Sequence, residues 1–214
     1  GRAAKAQGAA AKEMSLGAAL RTQPFWLMLA AFFFGNVCSQ TLHVHQVAFL
    51  VDHGMAAMAA ASVVGVVGAA SVFGKSGGGW LSDRYERELI YVIGIAILVL
   101  AVVALALVGA MPSRWGAYAY AVLLGVGYSA TASLIPAMVS DRFRGRRFGL
   151  ILGVGLFASA LGSALGPWMA GRLFDLTGSY AIAFGIAAAC GVLAAAAGWR
   201  ARSLRRRALS LQFG

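Results

Sequence analysis

The sequence predicts an all-α integral membrane protein with six transmembrane helices, on three observations. Of the 214 residues, 60% are hydrophobic and only 12% are charged, against about 45–50% and about 25% in soluble domains. The apolar residues fall into six runs, each near the roughly 20 residues that cross a bilayer. Those runs fill residues 25–199, leaving a lead-in at 1–24 and a basic tail at 200–214.

The elements follow in order. Residues 1–24 carry Arg2, Lys5, Lys12 and Arg21 among alanines and glycines, a flexible cytoplasmic lead-in that ends at Pro24. Ser15 to Thr22 forms a short interfacial helix before the membrane. The first span runs from about Phe25 to Leu50 and the second from about Ala56 to Leu81, with Gly77, Gly78 and Gly79 near its end. The third covers Leu89 to Ala110 and turns at Pro112, and the fourth covers Trp115 to Val139. The fifth covers Phe148 to Gly171 and the sixth Tyr180 to Trp199, after which Arg200, Arg202, Arg205, Arg206 and Arg207 close the chain. The first apolar run is too long for the h-region of a cleavable signal peptide.

The formal net charge of +11 is distributed between and after the apolar runs rather than along one exposed face, which excludes nucleic-acid binding. Lysines and arginines set orientation through their loops. With the N-terminus cytoplasmic, one side collects fifteen of them and the other only Arg114 and Arg172, with Lys75 left inside the membrane. Both termini then lie inside, as expected for a multi-pass protein of the cell's inner (plasma) membrane. Spans one to three and four to six form two three-helix groups, and the odd number of crossings inverts the second group relative to the first. Cys38 and Cys190 sit inside apolar runs as small packing residues and give neither a disulfide framework nor metal spacing.

Lys75 is the cation that needs a purpose, because a charge within a span calls for a partner or a function. Counted back from Ser82, it lies about 10 Å inside at 1.5 Å per residue, within partial reach of snorkelling. Gly68, Ser71, Gly78, Gly79 and Ser82 share its side and leave room beside the ammonium, and no carboxylate lies within any span. Such a cation is suited to receive an anion from solution. On the first span, Asn36, Gln40 and His43 recur at helical spacing with Ser39, and Gln46 lies at the edge of that face. Such a face looks either into a wet cavity or onto neighbouring helices through hydrogen bonds. His45 points to the opposite side, so His43 and His45 do not make a metal site. Asp83 is expected to face the corner made by Arg142 and the start of the fifth span near Phe148, where an arginine and a helix N-terminus both favour a carboxylate. On the fifth span Gly155, Ser159, Gly162, Ser163 and Gly166 form a small-residue packing face, and Pro167 can bend the helix. Tyr128 and Ser129 on the fourth span are candidates for the same cavity.

The stretch GGGWLSDRYERE resembles the G-x-x-x-D-R-x-G-R-R loop of the major facilitator superfamily, with Gly79, Asp83, Arg84 and Arg87 matching and Glu86 and Glu88 departing. Ser15 to Trp26 is similar to the lead into the seventh helix of that family. His45 to Gly54 resembles the end of that helix in the monocarboxylate and oxalate:formate branch, and Leu165 to Tyr180 the eleventh helix with its following loop. The resemblance implies the C-terminal six-helix half of a twelve-helix carrier. It implies that Lys75 stands where a basic residue of the eighth helix holds the substrate carboxylate, giving charge without the bidentate fork of arginine. The oxalate carriers also have a basic residue on the eleventh helix, and its absence from the fifth span here favours monoanions. Helical periodicity prefers His43 for the cavity, whereas the resemblance falls on His45.

The expectation is secondary active transport of a small organic anion, a monocarboxylate by preference, through alternating access. Lys75 attracts the anion; Asn36, Gln40, His43, His45 and Tyr128 contact it; Gly79, Asp83, Arg84, Arg87 and Arg142 form a gating loop. A histidine offers proton coupling near neutral pH. The partners are the bilayer and either an N-terminal six-helix half or a second copy of the chain. No cofactor or metal is implied. No nucleophile set lies within the spans, which argues against an enzyme, and the competing class is a non-transporting sensor or assembly subunit built on the same fold.

Overall fold

The computed structural model describes residues 16–143, 145 and 148–213. The lead-in at 1–15, with Arg2, Lys5 and Lys12, lies outside the described residues, as do Arg144, Arg146, Arg147 and Gly214. A short helix α1 (Leu16–Leu20) precedes six long ones: α2 (Gln23–Asp52), α3 (Ala57–Arg84), α4 (Arg87–Ala110), α5 (Arg114–Arg142), α6 (Phe148–Thr177) and α7 (Ala181–Phe213). All six are long and apolar enough to cross a membrane.

Local chemistry sets their ends. Pro24 stands in the first turn of α2, where its missing N–H costs nothing. Gly54 and Gly178 take positive φ values of 86° and 67° just after α2 and α6, a conformation open to glycine at little cost. Ser113 caps α5 by accepting from the Gly116 N–H at 3.3 Å. Between α3 and α4 only Tyr85 and Glu86 lie outside the helices, so the charged stretch from Asp83 to Glu88 is mostly helix ends rather than loop. The last helix runs unbroken through the boundary expected near Trp199, and the basic tail continues it as far as Phe213.

The packing obeys an exchange. Helix α2 packs chiefly on α6 and α7, α5 packs chiefly on α3 and α4, and α4 packs on α7. Swapping α2 with α5, α3 with α6 and α4 with α7 leaves that pattern unchanged, as two inverted three-helix repeats require. Helices α2 and α5 are therefore central, with α3 and α6 flanking them on one side and the α4–α7 pair behind. Burial agrees: 56% of the most apolar stretch is covered in α2 and in α5, but 28% in α3 and 17% in α6. The flanking helices leave most of their surface to lipid or to another protein.

Small residues make the two flanking contacts. On α6, Gly155, Gly162 and Gly166 form the buried stripe against α2. A methyl group on Gly162 would collide with the Phe33 carbonyl, and one on Gly166 would stand 2.7 Å from the Val37 carbonyl. Gly74 and Gly125 play the same part between α3 and α5: a methyl on Gly125 would come within 2.5 Å of the Val67 carbonyl. The packing role expected for the small face of the fifth span is thus what the structure shows.

Candidate functional site

Lys75 lies nine residues before the end of α3, about 13 Å inside it at 1.5 Å per residue. Unbroken helix as far as Arg84 puts it further from the helix end than the distance counted from Ser82. The residues of α3 that meet α5 are Ala60, Val63, Val67, Ala70, Gly74 and Gly78. At 100° per residue, Lys75 sits roughly a quarter-turn from that stripe, and it is exposed. Gly68 and Gly79, on its side of the helix, have no atom within 4 Å of a methyl placed on them. Ser71, also on that side, turns back to the bundle, its hydroxyl donating to the carbonyls of Val67 at 2.8 Å and Gly125 at 3.3 Å. Lys75 has no hydrogen bond or ion pair among the described residues. The result is an ammonium on an open flank with glycine-sized space beside it.

The polar residues of α2 divide between two jobs. Asn36 is tied to α6, its Oδ1 accepting from Ser163 Oγ at 3.2 Å while its amide donates to the Phe32 carbonyl at 2.8 Å. Gln46 is buried rather than at the rim, accepting from Tyr120 Oη at 3.1 Å and donating to the His43 carbonyl at 3.1 Å. These two follow the interhelical-glue alternative. His43 is half-buried with its ring edge-on to Tyr128 of α5, centroids 4.6 Å apart. Its Nδ1–H donates to the Ser39 carbonyl at 2.8 Å, which leaves Nε2 as an acceptor. Gln40 is half-buried with no side-chain bond among the described residues. Asn36, Ser39, Tyr128 and Thr131 line a void of about 10 Å³, room for one water at most. Ser129 faces α3, packed where Gly74 passes, and donates to the Gly125 carbonyl at 2.6 Å.

His45 is committed elsewhere. Its Nε2 lies 3.0 Å from the Pro167 carbonyl and its Nδ1 3.2 Å from Tyr180 Oη. A carbonyl only accepts, so Nε2 carries the proton and Tyr180 donates to Nδ1. Both ring nitrogens thereby join α2 to α6 and to the start of α7. The structure brings His43, not His45, together with Tyr128.

The charged residues between α3 and α4 are arranged differently from the expected gating loop. Asp83 is exposed and unpaired among the described residues. It stands half a helical turn from Gly74, so it points away from α5 and from Arg142 at that helix's end. Arg142 instead meets the buried carboxylate of Glu88 at 3.2 Å and the Ala201 carbonyl at 2.6 Å. Arg84 lies over the Trp80 ring, 4.0 Å from its centroid, and Arg87 pairs with Asp141 at 3.4 Å. Around Gly79 there is only open space. The two positions that depart from the motif hold the cluster together: Glu88 also binds Arg205 at 3.0 Å, and Glu86 binds Arg202 and, at 2.8 Å, Arg206. These bonds draw the Glu86 carboxyl below the usual range, the Arg202 hydrogen bond foremost, against the opposing effect of burial. Sequence reasoning does not single out Glu86, Glu88, Asp141, Arg202, Arg205 and Arg206 as a set. Its one signal is topological, since all six fall on the arginine-rich end of the bundle.

Among known proteins, the family model described as Major Facilitator Superfamily matches residues 1–167. The zebrafish (Danio rerio) protein spinster homolog 3 is 27% identical over 115 residues, which are 54% of this chain and 23% of that protein. The MFS transporter asaE of Aspergillus flavus is 34% identical over 134 residues, 61% of this chain and 29% of that protein. Human (Homo sapiens) monocarboxylate transporter 12 is 26% identical over 162 residues, 74% of this chain and 31% of that protein. The chain spans less than a third of the length of each of these relatives. With six spans in two exchangeable groups of three and a family match over most of its length, the chain belongs to the Major Facilitator Superfamily.

Proposed function

We propose that this chain forms one wall of a secondary carrier for a small organic anion, a monocarboxylate by preference. Lys75 carries the proposal, as a cation within a span that has no partner among the described residues, exposed on the flank that α3 leaves uncovered. A desolvated ammonium without a carboxylate partner is costly in lipid, and a carboxylate substrate between two protein walls offsets that cost. The likeness to a protein named monocarboxylate transporter 12 supports the same substrate class. No other lysine or arginine lies mid-span among the described residues, which favours one carboxylate over two.

The opposite wall is supplied by an N-terminal six-helix half or by a second copy of this chain, docked on the uncovered faces of α3 and α6. His43 and Tyr128 orient the anion from the central helices, and the free Nε2 of His43 offers a site for a coupled proton. The arginine-rich end is cytoplasmic by the positive-inside rule, in the plasma membrane, where it is read as the end that opens and closes.

Uptake into vesicles tests this, with the chain co-expressed with a candidate N-terminal half and offered a labelled monocarboxylate, dicarboxylate or neutral sugar. Saturable monocarboxylate uptake above that of either half alone is the expected result, with the dicarboxylate slower and the sugar excluded. Sugar uptake without anion uptake contradicts the substrate class. No uptake of any kind points to the sensor or assembly subunit.

A further inference from the structure

A partly open cavity of about 800 Å³ lies at the end of the bundle opposite the arginine cluster, between α4 and α7 and against the ends of α2 and α6. None of its lining residues comes from α3, the helix that carries Lys75. Its size is within the roughly 300–1,000 Å³ of small-molecule sites. Val102, Val103, Ala106, Leu107, Phe184 and Ala188 make its walls. These walls are apolar and Val103 and Leu107 stay about half exposed, so in a bilayer the position of the groove calls for hydrocarbon.

The mouth is of another kind. Asp52, His53, Ser179 and Tyr180 line it where the spans end. Asp52 and, nearby on α6, Asp175 are exposed and form no ion pair among the described residues. The Tyr180 hydroxyl is pushed up by burial first, then by the charges of Asp52 and Asp175, which marks a negative field there. His53 donates its Nδ1–H to the Phe49 carbonyl at 2.7 Å, leaving Nε2 to accept. Carboxylates, an imidazole lone pair and hydroxyl oxygens together offer acceptors to a cation with several N–H donors. A second cavity of about 360 Å³ shares His53 and adds Ser113 and Arg114, a cation suited to a phosphodiester.

We infer that this cavity is a lipid site selective for a phospholipid with a primary-amine headgroup, its acyl chain between α4 and α7 and its ammonium at Asp52. Phosphatidylcholine carries the same phosphate and the same positive charge, but its methylated nitrogen has no N–H to donate. The discrimination therefore rests on hydrogen bonding rather than on net charge.

Native mass spectrometry tests the site on the full chain, purified from nanodiscs holding equal phosphatidylethanolamine and phosphatidylcholine. The expected result is retained lipid with an about two- to fivefold preference for phosphatidylethanolamine, the range of a partly exposed ammonium–carboxylate pair. Asp52→Asn is expected to keep bound lipid but bring that preference to about one. Gly185 lines the cavity and has no atom within 4 Å of a methyl placed on it, so Gly185→Leu adds bulk at the cavity wall and is expected to lose the lipid. Circular dichroism matching wild type shows that each variant is folded. Equal retention of the two lipids by wild type, or undiminished retention by a folded Gly185→Leu, would overturn the site.

Discussion

Single atoms decide the close contacts of this bundle. At Gly162 a side chain has nowhere to go, because the Phe33 carbonyl of α2 occupies its place. At Gly153, on the same helix, nothing lies within 4 Å. Gly162→Leu is therefore expected to destabilise the protein by about 1–3 kcal/mol or more, as overpacking does, while Gly153→Ala is neutral or stabilising through helix propensity. Thermal unfolding in detergent separates the two, and equal melting temperatures would contradict the close α2–α6 contact. The small-residue face was legible in the sequence because glycine and serine at helical spacing have few other uses in a span. The fate of the two histidines was not. Periodicity places His43 and His45 on different faces, but whether a face meets a carbonyl or open space depends on Pro167 and Tyr180, more than a hundred residues away.

Among the elements, the extension of α7 departs most from expectation. A run of arginines after a span reads as a solvated tail, and each alone would be one. Glu86 and Glu88 turn the run into a docked helix by taking up Arg202, Arg205 and Arg206 along its face. Glu88 is 2% exposed, and removing one partner of a buried pair costs about 3–5 kcal/mol. Glu88→Gln is expected to raise amide hydrogen exchange across residues 200–207 while leaving α2 and α5 protected; unchanged exchange there would show that the extension is held otherwise. The pH dependence follows from Glu86. Its carboxyl is held below the ordinary range, about 4.3 for glutamate, so its stabilisation is complete above that value and is lost as pH falls through the lower folded-state value. Protection of the extension should thus stay constant from neutral pH down to about 5 and fall only in stronger acid. The pair is partly exposed, so added salt should weaken it as well. The motif draws attention to Asp83 instead, but a regular helix as far as Arg84 turns that carboxylate away from α5.

For the molecule as a whole, hydropathy was enough to find six spans, because a bilayer demands long apolar helices and little else produces them. The exchange of α2, α3 and α4 with α5, α6 and α7 is expected from the number of crossings and appears in which helices pack together. What hydropathy could not supply was how far Lys75 sits from the end of α3, and that its side of the helix is left bare. Both depend on where the helix stops and which face meets α5. The uncovered flanks of α3 and α6 then read as surfaces for a second six-helix wall, and Lys75 as the charge between them. The most direct measurement of that claim is carboxylate uptake by the assembled carrier with Lys75 varied. Lys75→Arg should retain uptake, while Lys75→Ala should lower it more than about tenfold, since a hydrogen bond to a charged group contributes about 1.5–3 kcal/mol and each 1.4 kcal/mol is about tenfold. Membrane insertion should be the same for both variants. Uptake by Lys75→Ala at the wild-type rate would contradict the account and leave Lys75 a snorkelling cation at the lipid surface.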